Sequence, residues 1–187
     1  HIINDWNMIG IPFDYENTEV QNIFPNSVEN TLFSFSETGY SSESELQLGT
    51  GYWLRFDVTE SIAMTGTPVE NLSISLMEGW NLISGYSFPI PVENIIDAEN
   101  ILVPNTLYGY SENGYSPSSV VNPGYGYWIR TSGSGEIQLS TSNRVNKTVP
   151  FDNKLKNANR IVLNGIPLFF GIHVNEEELV YYSLPPK

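Results

Sequence analysis

Chemistry in this 187-residue chain has to come from two histidines, scattered carboxylates and hydroxyls, because there is no cysteine. Thiolate nucleophiles, thiolate metal sites and disulfides are therefore excluded. His1 stands at the first position. His173 lies inside an apolar strand candidate, where a lone histidine reads as structural rather than as a base. A serine or threonine nucleophile needs a neighbouring base, and no nucleophile elbow or Ser-x-x-Lys pattern occurs. Asp14 and Glu16 are the nominee pair for glycoside hydrolysis. In so acidic a chain they read as solvated loop charges. "DAEN" (97–100) offers oxygen ligands but lacks the spacing of a calcium loop, and reads as a capped turn or polar loop. "NEEE" (175–178) reads as a solvated hairpin tip. "GSG" (133–135) has no following helix or lysine and reads as a hairpin turn. No catalytic residue, metal ligand or cofactor is assigned.

The composition points the same way. Charged residues make up only 16 %, and 11 Tyr, 9 Phe and 4 Trp favour strands. The profile, rich in Asn, Ser, Thr, Gly and Pro, is that of a β-rich extracellular protein. No apolar run approaches the length of a membrane-spanning helix, so no membrane insertion is expected. Residues 1–143 hold two cations, Arg55 and Arg130, against 17 acids, a net −15. Residues 144–187 hold six cations and four acids, a net +2. A surface this acidic repels phosphate backbones, which argues against nucleic acid as a partner. The charge step places a domain boundary near 141–150.

The aromatics are organised by a duplication. "TLFSFSETGYSSESELQLGTGYWLRF" (31–56) aligns without a gap on "TLYGYSENGYSPSSVVNPGYGYWIRT" (106–131), with 13 of 26 positions identical. "DWNMIG" (5–10) matches "GWNLIS" (79–84), "VQNIF" (20–24) matches "VENII" (92–96), and "SIAMTG" (61–66) resembles "EIQLST" (136–141). Short alternating segments separated by turn residues predict five or six strands per repeat, with hairpins at Glu78-Gly79 and Asn113-Gly114. A short helical turn is expected near 92–98. The first repeat lacks a partner for "LSISL" ahead of Trp6, and the chain reads as a piece of something longer. The expected fold is all-β: two tandem β-sandwich or small-barrel modules, 1–74 and 75–143, plus the start of a third β-sandwich over 144–187. Strand candidates in that last part are "RIVL", "LFFGIHV" and "LVYYSL".

In "GYWLRF" alternation sets Tyr52, Leu54 and Phe56 on one face and Trp53 and Arg55 on the other. The second copy repeats this with Trp128 and Arg130. Trp and Arg two apart can make a cation–π contact, and Glu37 and Glu112 are equivalent acids within reach of the arginines. The main reading of the motif is structural, with Trp6, Trp80, Arg55 and Arg130 specifying the fold and both tryptophans before Asn serving as core residues. The alternative is a sugar-stacking platform built from Tyr40, Trp53, Tyr115, Tyr125 and Trp128.

The chain resembles the C-terminal accessory region of large secreted Bacteroidetes-type proteins. Such regions carry tandem "GWNLIG…GYW" β-modules and then an "LYFG…LPPxPP" segment ahead of a type IX secretion sorting domain. Trp6, Trp80, Gly49, Gly51, Tyr52, Trp53, Gly124, Gly126, Tyr127 and Trp128 carry the first part of the resemblance. Leu168-Phe169-Phe170-Gly171 and Leu184-Pro185-Pro186 carry the second. The FDxRF segment and sorting domain do not occur in it, and "LFFG" stands for "LYFG". The resemblance implies an extracellular or cell-surface accessory role as spacer, stalk or adhesive, with polysaccharide or neighbouring domains as partners. The rival expectations are a carbohydrate-binding module and a subunit of a surface filament or layer.

Overall fold

The computed structural model describes residues 1–141, 152–163 and 166–186. The chain is all-β, built from antiparallel sheets with no closed barrel. The first repeat contributes β1 (Asp5–Ile9), β2 (Phe13–Asp14), α1 (Val20–Ile23), β3 (Phe33–Ser36), β4 (Gly39–Ser42), β5 (Tyr52–Phe56) and β6 (Thr67–Pro68). The second contributes β7 (Asn71–Leu76), β8 (Gly79–Ser84), β9 (Ile90–Pro91), β10 (Tyr108–Ser111), β11 (Gly114–Pro117), β12 (Val120–Val121), β13 (Gly126–Thr131) and β14 (Gly135–Ser140). Each repeat forms a four-stranded sheet with one strand order: β1-β5-β3-β4 in the first and β8-β13-β10-β11 in the second. The registers agree residue for residue. Trp6 lies opposite Arg55 as Trp80 lies opposite Arg130, and Met8 opposite Trp53 as Leu82 opposite Trp128.

The local devices are duplicated too. The Asn after each Trp clasps the bend before it. Asn7 accepts the Ile3 N–H at 2.9 Å and donates to the Ile3 carbonyl at 2.8 Å; Asn81 does the same with Met77 at 2.9 and 2.8 Å. The Tyr52 hydroxyl accepts the Gln47 N–H at 3.0 Å, and that of Tyr127 accepts the Asn122 N–H at 3.2 Å. The short helical turn expected near 92–98 is a 3₁₀ turn at Val92–Asn94.

Alternation splits each central strand between two apolar layers. Tyr52, Leu54 and Phe56 pack inward with Ile11, Phe24, Leu32 and Leu46. Tyr127 and Ile129 pack with Ile83, Ile95, Leu107 and Ile137. The opposite faces of the two sheets meet each other. Met8, Leu82, Tyr108 and Trp128 form a third cluster, with Phe35, Trp53, Trp80 and Tyr115 packed against it.

The contacts across this junction are reciprocal, as in a two-fold pair built from one chain. Phe35 meets Trp128 at 4.8 Å and Tyr110 meets Trp53 at 4.7 Å, both edge-on. Ile9 bridges Tyr125 and Ile83 bridges Thr50. The Ser84 N–H donates to the Gly49 carbonyl at 2.9 Å, and the Gly10 N–H to the Gly124 carbonyl at 3.4 Å. This explains the glycines of the repeated motif. Gly49 and Gly124 have φ of +81° and +80°, a region L side chains rarely adopt. Gly51 and Gly126 sit where the other repeat's backbone passes. A Cβ on Gly51 would lie 2.4 Å from the Ile83 carbonyl oxygen, and one on Gly126 3.0 Å from that of Ile9.

The expected boundary near 141–150 falls on residues 142–150, outside the described part. Beyond it, β15 (Asn159–Leu163) and β16 (Ile166–Phe170) form a two-stranded ribbon. "LVYYSL", expected as a strand, is instead a 3₁₀ turn over Glu178–Tyr182. Glu178 accepts the Asn175 N–H at 3.1 Å and pairs with Lys154 at 2.6 Å, closing the turn from outside. Pro185 and Pro186 have no N–H to extend a ladder. His173, expected within a strand, is exposed beyond the end of β16.

A glycine exchange tests the junction. Gly51→Ala must push the two repeats apart and is expected to cost about 1–3 kcal/mol, the scale of overpacking. Gly133→Ala, with nothing within 4 Å of its Cβ, should melt like the parent protein. Thermal melts of both variants check this.

Candidate functional site: an open aromatic cleft

Among the described residues no three His, Asp or Glu side chains converge as a metal site. Asp14 and Glu16 are both exposed. The Asp97 carboxylate is taken up by the backbone, accepting the N–H groups of Ile101 at 3.0 Å and Leu102 at 2.8 Å, a loop cap. No helix is long and apolar enough to cross a membrane among the described residues.

The most distinctive surface lies at the junction of the two sheets. Trp6, Phe33, Tyr40 and Trp53 of the first repeat and Tyr110 and Tyr115 of the second line an open cleft of about 500 Å³. The pleat of β1, β3, β4 and β5 turns the first four rings to this side. Tyr110 and Tyr115, paired across the β10–β11 hairpin, lean in from the other sheet. Tyr40 and Tyr110 are 42 % and 37 % exposed. The rings stand across one another, with Trp53 and Tyr110 at 79°, Tyr110 and Tyr115 at 69°, and Trp53 and Tyr115 at 66°. They present edges and slots rather than a flat platform for a pyranose face.

The structure brings three of the five stacking candidates, Tyr40, Trp53 and Tyr115, into this cleft. The other two are not there. Trp128 is completely buried, so it offers no face to a ligand, which corrects the expectation for this residue. Tyr125 lies in a separate cleft of about 390 Å³ lined also by Ile2, Met8, Ile62 and Met64. Its hydroxyl accepts from the amino group of His1 at 3.4 Å. Trp6 and Trp80, expected in the core, are half-buried on the junction face.

The arginines also differ from expectation. Arg55 faces Asp5 at 3.8 Å and Asp57 at 3.5 Å, both exposed, rather than Glu37. Arg130 has no salt bridge among the described residues. Its guanidinium lies 6.0 Å from the ring centre of Trp80, its cross-strand partner, rather than over Trp128 on its own strand. Phe33 and Tyr110, which sequence reasoning did not name, complete the cleft. Their signal was the alternation in "TLFSF" and "TLYGY".

Burial disfavours the phenolate and pushes up the pKa of several hydroxyls here, including Tyr40 and Tyr108. Tyr115 is pushed up to about 12 by burial, although the Trp128 indole N–H nearby draws it back down. That indole completes no hydrogen bond among the described residues. The Tyr115 hydroxyl donates to the Pro186 carbonyl at 2.7 Å.

An alkaline scan tests this burial. The unfolded tyrosine ionises near 10 and the folded Tyr115 near 12. Below 10 both states hold the proton; between the two values only the folded state does. Stability must therefore fall as pH rises from 10 to 12. Thermal melts across that range are expected to show the fall, and Tyr115→Phe to make it shallower.

Comparison with protein-family models, curated proteins and solved structures gives no match to this chain.

Proposed function

We propose that this chain is a non-enzymatic, extracellular accessory segment, a spacer or adhesive region of a larger secreted or surface-anchored protein. One observation carries the reading: the residues shared by the two repeats are spent on joining them. Trp53 and Trp128 each pack edge-on against the opposite sheet, and Gly51 and Gly126 let the backbones meet. A motif duplicated to bind a ligand twice would leave both tryptophans accessible. Here Trp128 is fully buried and Trp53 half-buried. The cysteine-free, Asn/Ser/Thr/Tyr-rich and acidic composition supports an extracellular setting. The type IX secretion context rests on the resemblance alone.

Trp128→Ala is expected to lose about 3–5 kcal/mol, the range for a buried Trp, and to melt both repeats together because they share one junction. The parent protein should not be retained on insoluble polysaccharides. If Trp53→Ala melted like the parent while abolishing retention that the parent showed, the carbohydrate-binding reading would replace this one.

A further inference from the structure

The pseudo-two-fold gives the molecule two equivalent aromatic faces, and only one is covered. On the second repeat, the end of the chain lies across the sheet. Arg130 Nη1 donates to Ser183 Oγ at 3.0 Å, and Tyr115 donates to the Pro186 carbonyl at 2.7 Å. Asn105 Nδ2 reaches the Tyr181 carbonyl at 3.4 Å. Pro185, between the two main anchors, is buried. Ser183 has φ −70° and ψ 143°, polyproline-II geometry. Arg130, which lies over the Trp80 ring, and Tyr115 thus stand at the two ends of a short extended proline segment.

The first repeat has the same parts in the same places. Trp6 stands for Trp80, Phe33 for Tyr108, Tyr40 for Tyr115, Trp53 for Trp128 and Arg55 for Arg130. They border the open cleft, and no part of the described chain lies on it as 183–186 lies on the other. Among the described residues the Arg55 side chain is held by exposed ion pairs, a kind of contact worth little and readily exchanged. Tyr40 is exposed where its counterpart Tyr115 bonds the tail.

We propose that this open cleft binds an extended, proline-containing peptide segment of a partner protein, seated as Ser183–Pro186 is seated on the equivalent face. Aromatic-lined grooves suit such segments because the polyproline conformation is preformed and its carbonyls are free to accept hydrogen bonds. Tyr40 donates to a carbonyl and Arg55 to a hydroxyl or carbonyl, in the roles of Tyr115 and Arg130. The charge selects the partner. Asp5 and Asp57 flank Arg55 where the other repeat has Gly79 and Ser132 beside Arg130, and residues 1–143 carry a net −15. The segment recognised is therefore a basic one, with a lysine or arginine beside its prolines. This goes beyond the accessory role proposed above and supplies a way for such a segment to adhere.

The test uses the whole chain and a synthetic peptide, Tyr-Tyr-Ser-Leu-Pro-Pro-Lys, read by the NMR signals of the four tryptophan indole N–H groups. The peptide is expected to shift Trp6 and Trp53 saturably, leaving Trp80 and Trp128 in place under the chain's own tail. Replacing both prolines by alanine should abolish the shifts. Tyr40→Phe and Arg55→Ala, each removing one anchor at the surface, should weaken binding about three- to tenfold, the scale of one hydrogen bond, while the spectrum reports that the fold is kept. The proposal is overturned if the peptide leaves Trp6 and Trp53 unmoved, if it shifts only Trp80 and Trp128 by displacing the tail, or if cello-oligosaccharides shift Trp6 and Trp53 and the peptide does not. The first two outcomes leave the spacer reading, tested by the melting of Trp128→Ala, untouched; the third favours the carbohydrate-binding reading in its place.

Discussion

Everything in this molecule depends on one contact, the reciprocal meeting of Trp53 and Trp128 with the aromatic rings of the opposite sheet. Each four-stranded sheet is apolar on both faces. One face is covered within its own repeat, by clusters around Phe56 and around Tyr127. The other face presents a tryptophan, a tyrosine or phenylalanine and a Met or Leu, and it is covered where it meets the opposite sheet. Edge-on aromatic pairs add about 0.5–1.5 kcal/mol each beyond the area they bury. Removing the rings from water contributes more than the ring geometry does. The glycines follow from this contact, since bulky rings interlock only if the backbones beside them approach to hydrogen-bonding distance.

Duplication made the two halves alike, and the departures from symmetry show where the two copies have diverged. In the second repeat β7 pairs with β14 over six residues, and the Ile2–Glu60 bridge of the first stands where Leu76 pairs with Gly135. At the junction, Thr50 in one copy is Tyr125 in the other. The tail covers one aromatic face and leaves its twin open.

Much of this was legible in the sequence. Period-two alternation in "GYWLRF" assigned every residue of β5 and β13 to its correct face, and the ungapped repeat implied a common strand order. Neither could show what the tryptophan face meets, because alternation identifies an apolar face without naming its partner. That gap is why the stacking alternative included Trp128, a ring on the outer side of its own repeat that is interior to the pair. The arginine contacts were misread for a related reason. Spacing along one strand suggests Trp128 for Arg130, but register sets Trp80 directly opposite. Register depends on which strands pair. In the tail, "LVYYSL" has strand-like composition, but Asn175 and Glu178 organise a 3₁₀ turn and two prolines follow.

The two arginines draw these strands together. They are the only cations in residues 1–143, and each stands at the same point of its sheet, yet they are held differently. Arg55 is compensated by two exposed carboxylates. Among the described residues Arg130, half-buried, has no acid partner and its Nε no hydrogen-bond partner, and it is held by the Trp80 ring and the Ser183 hydroxyl. A lysine could not do both, because a flat guanidinium stacks on a ring while its edge still donates. The surrounding acids make a positive charge at that position less costly than it would be in a neutral protein. An arginine placed there is therefore a donor fixed beside an aromatic face. On the second sheet that donor engages the protein's own extended segment, and on the first it stands at the rim of the open cleft.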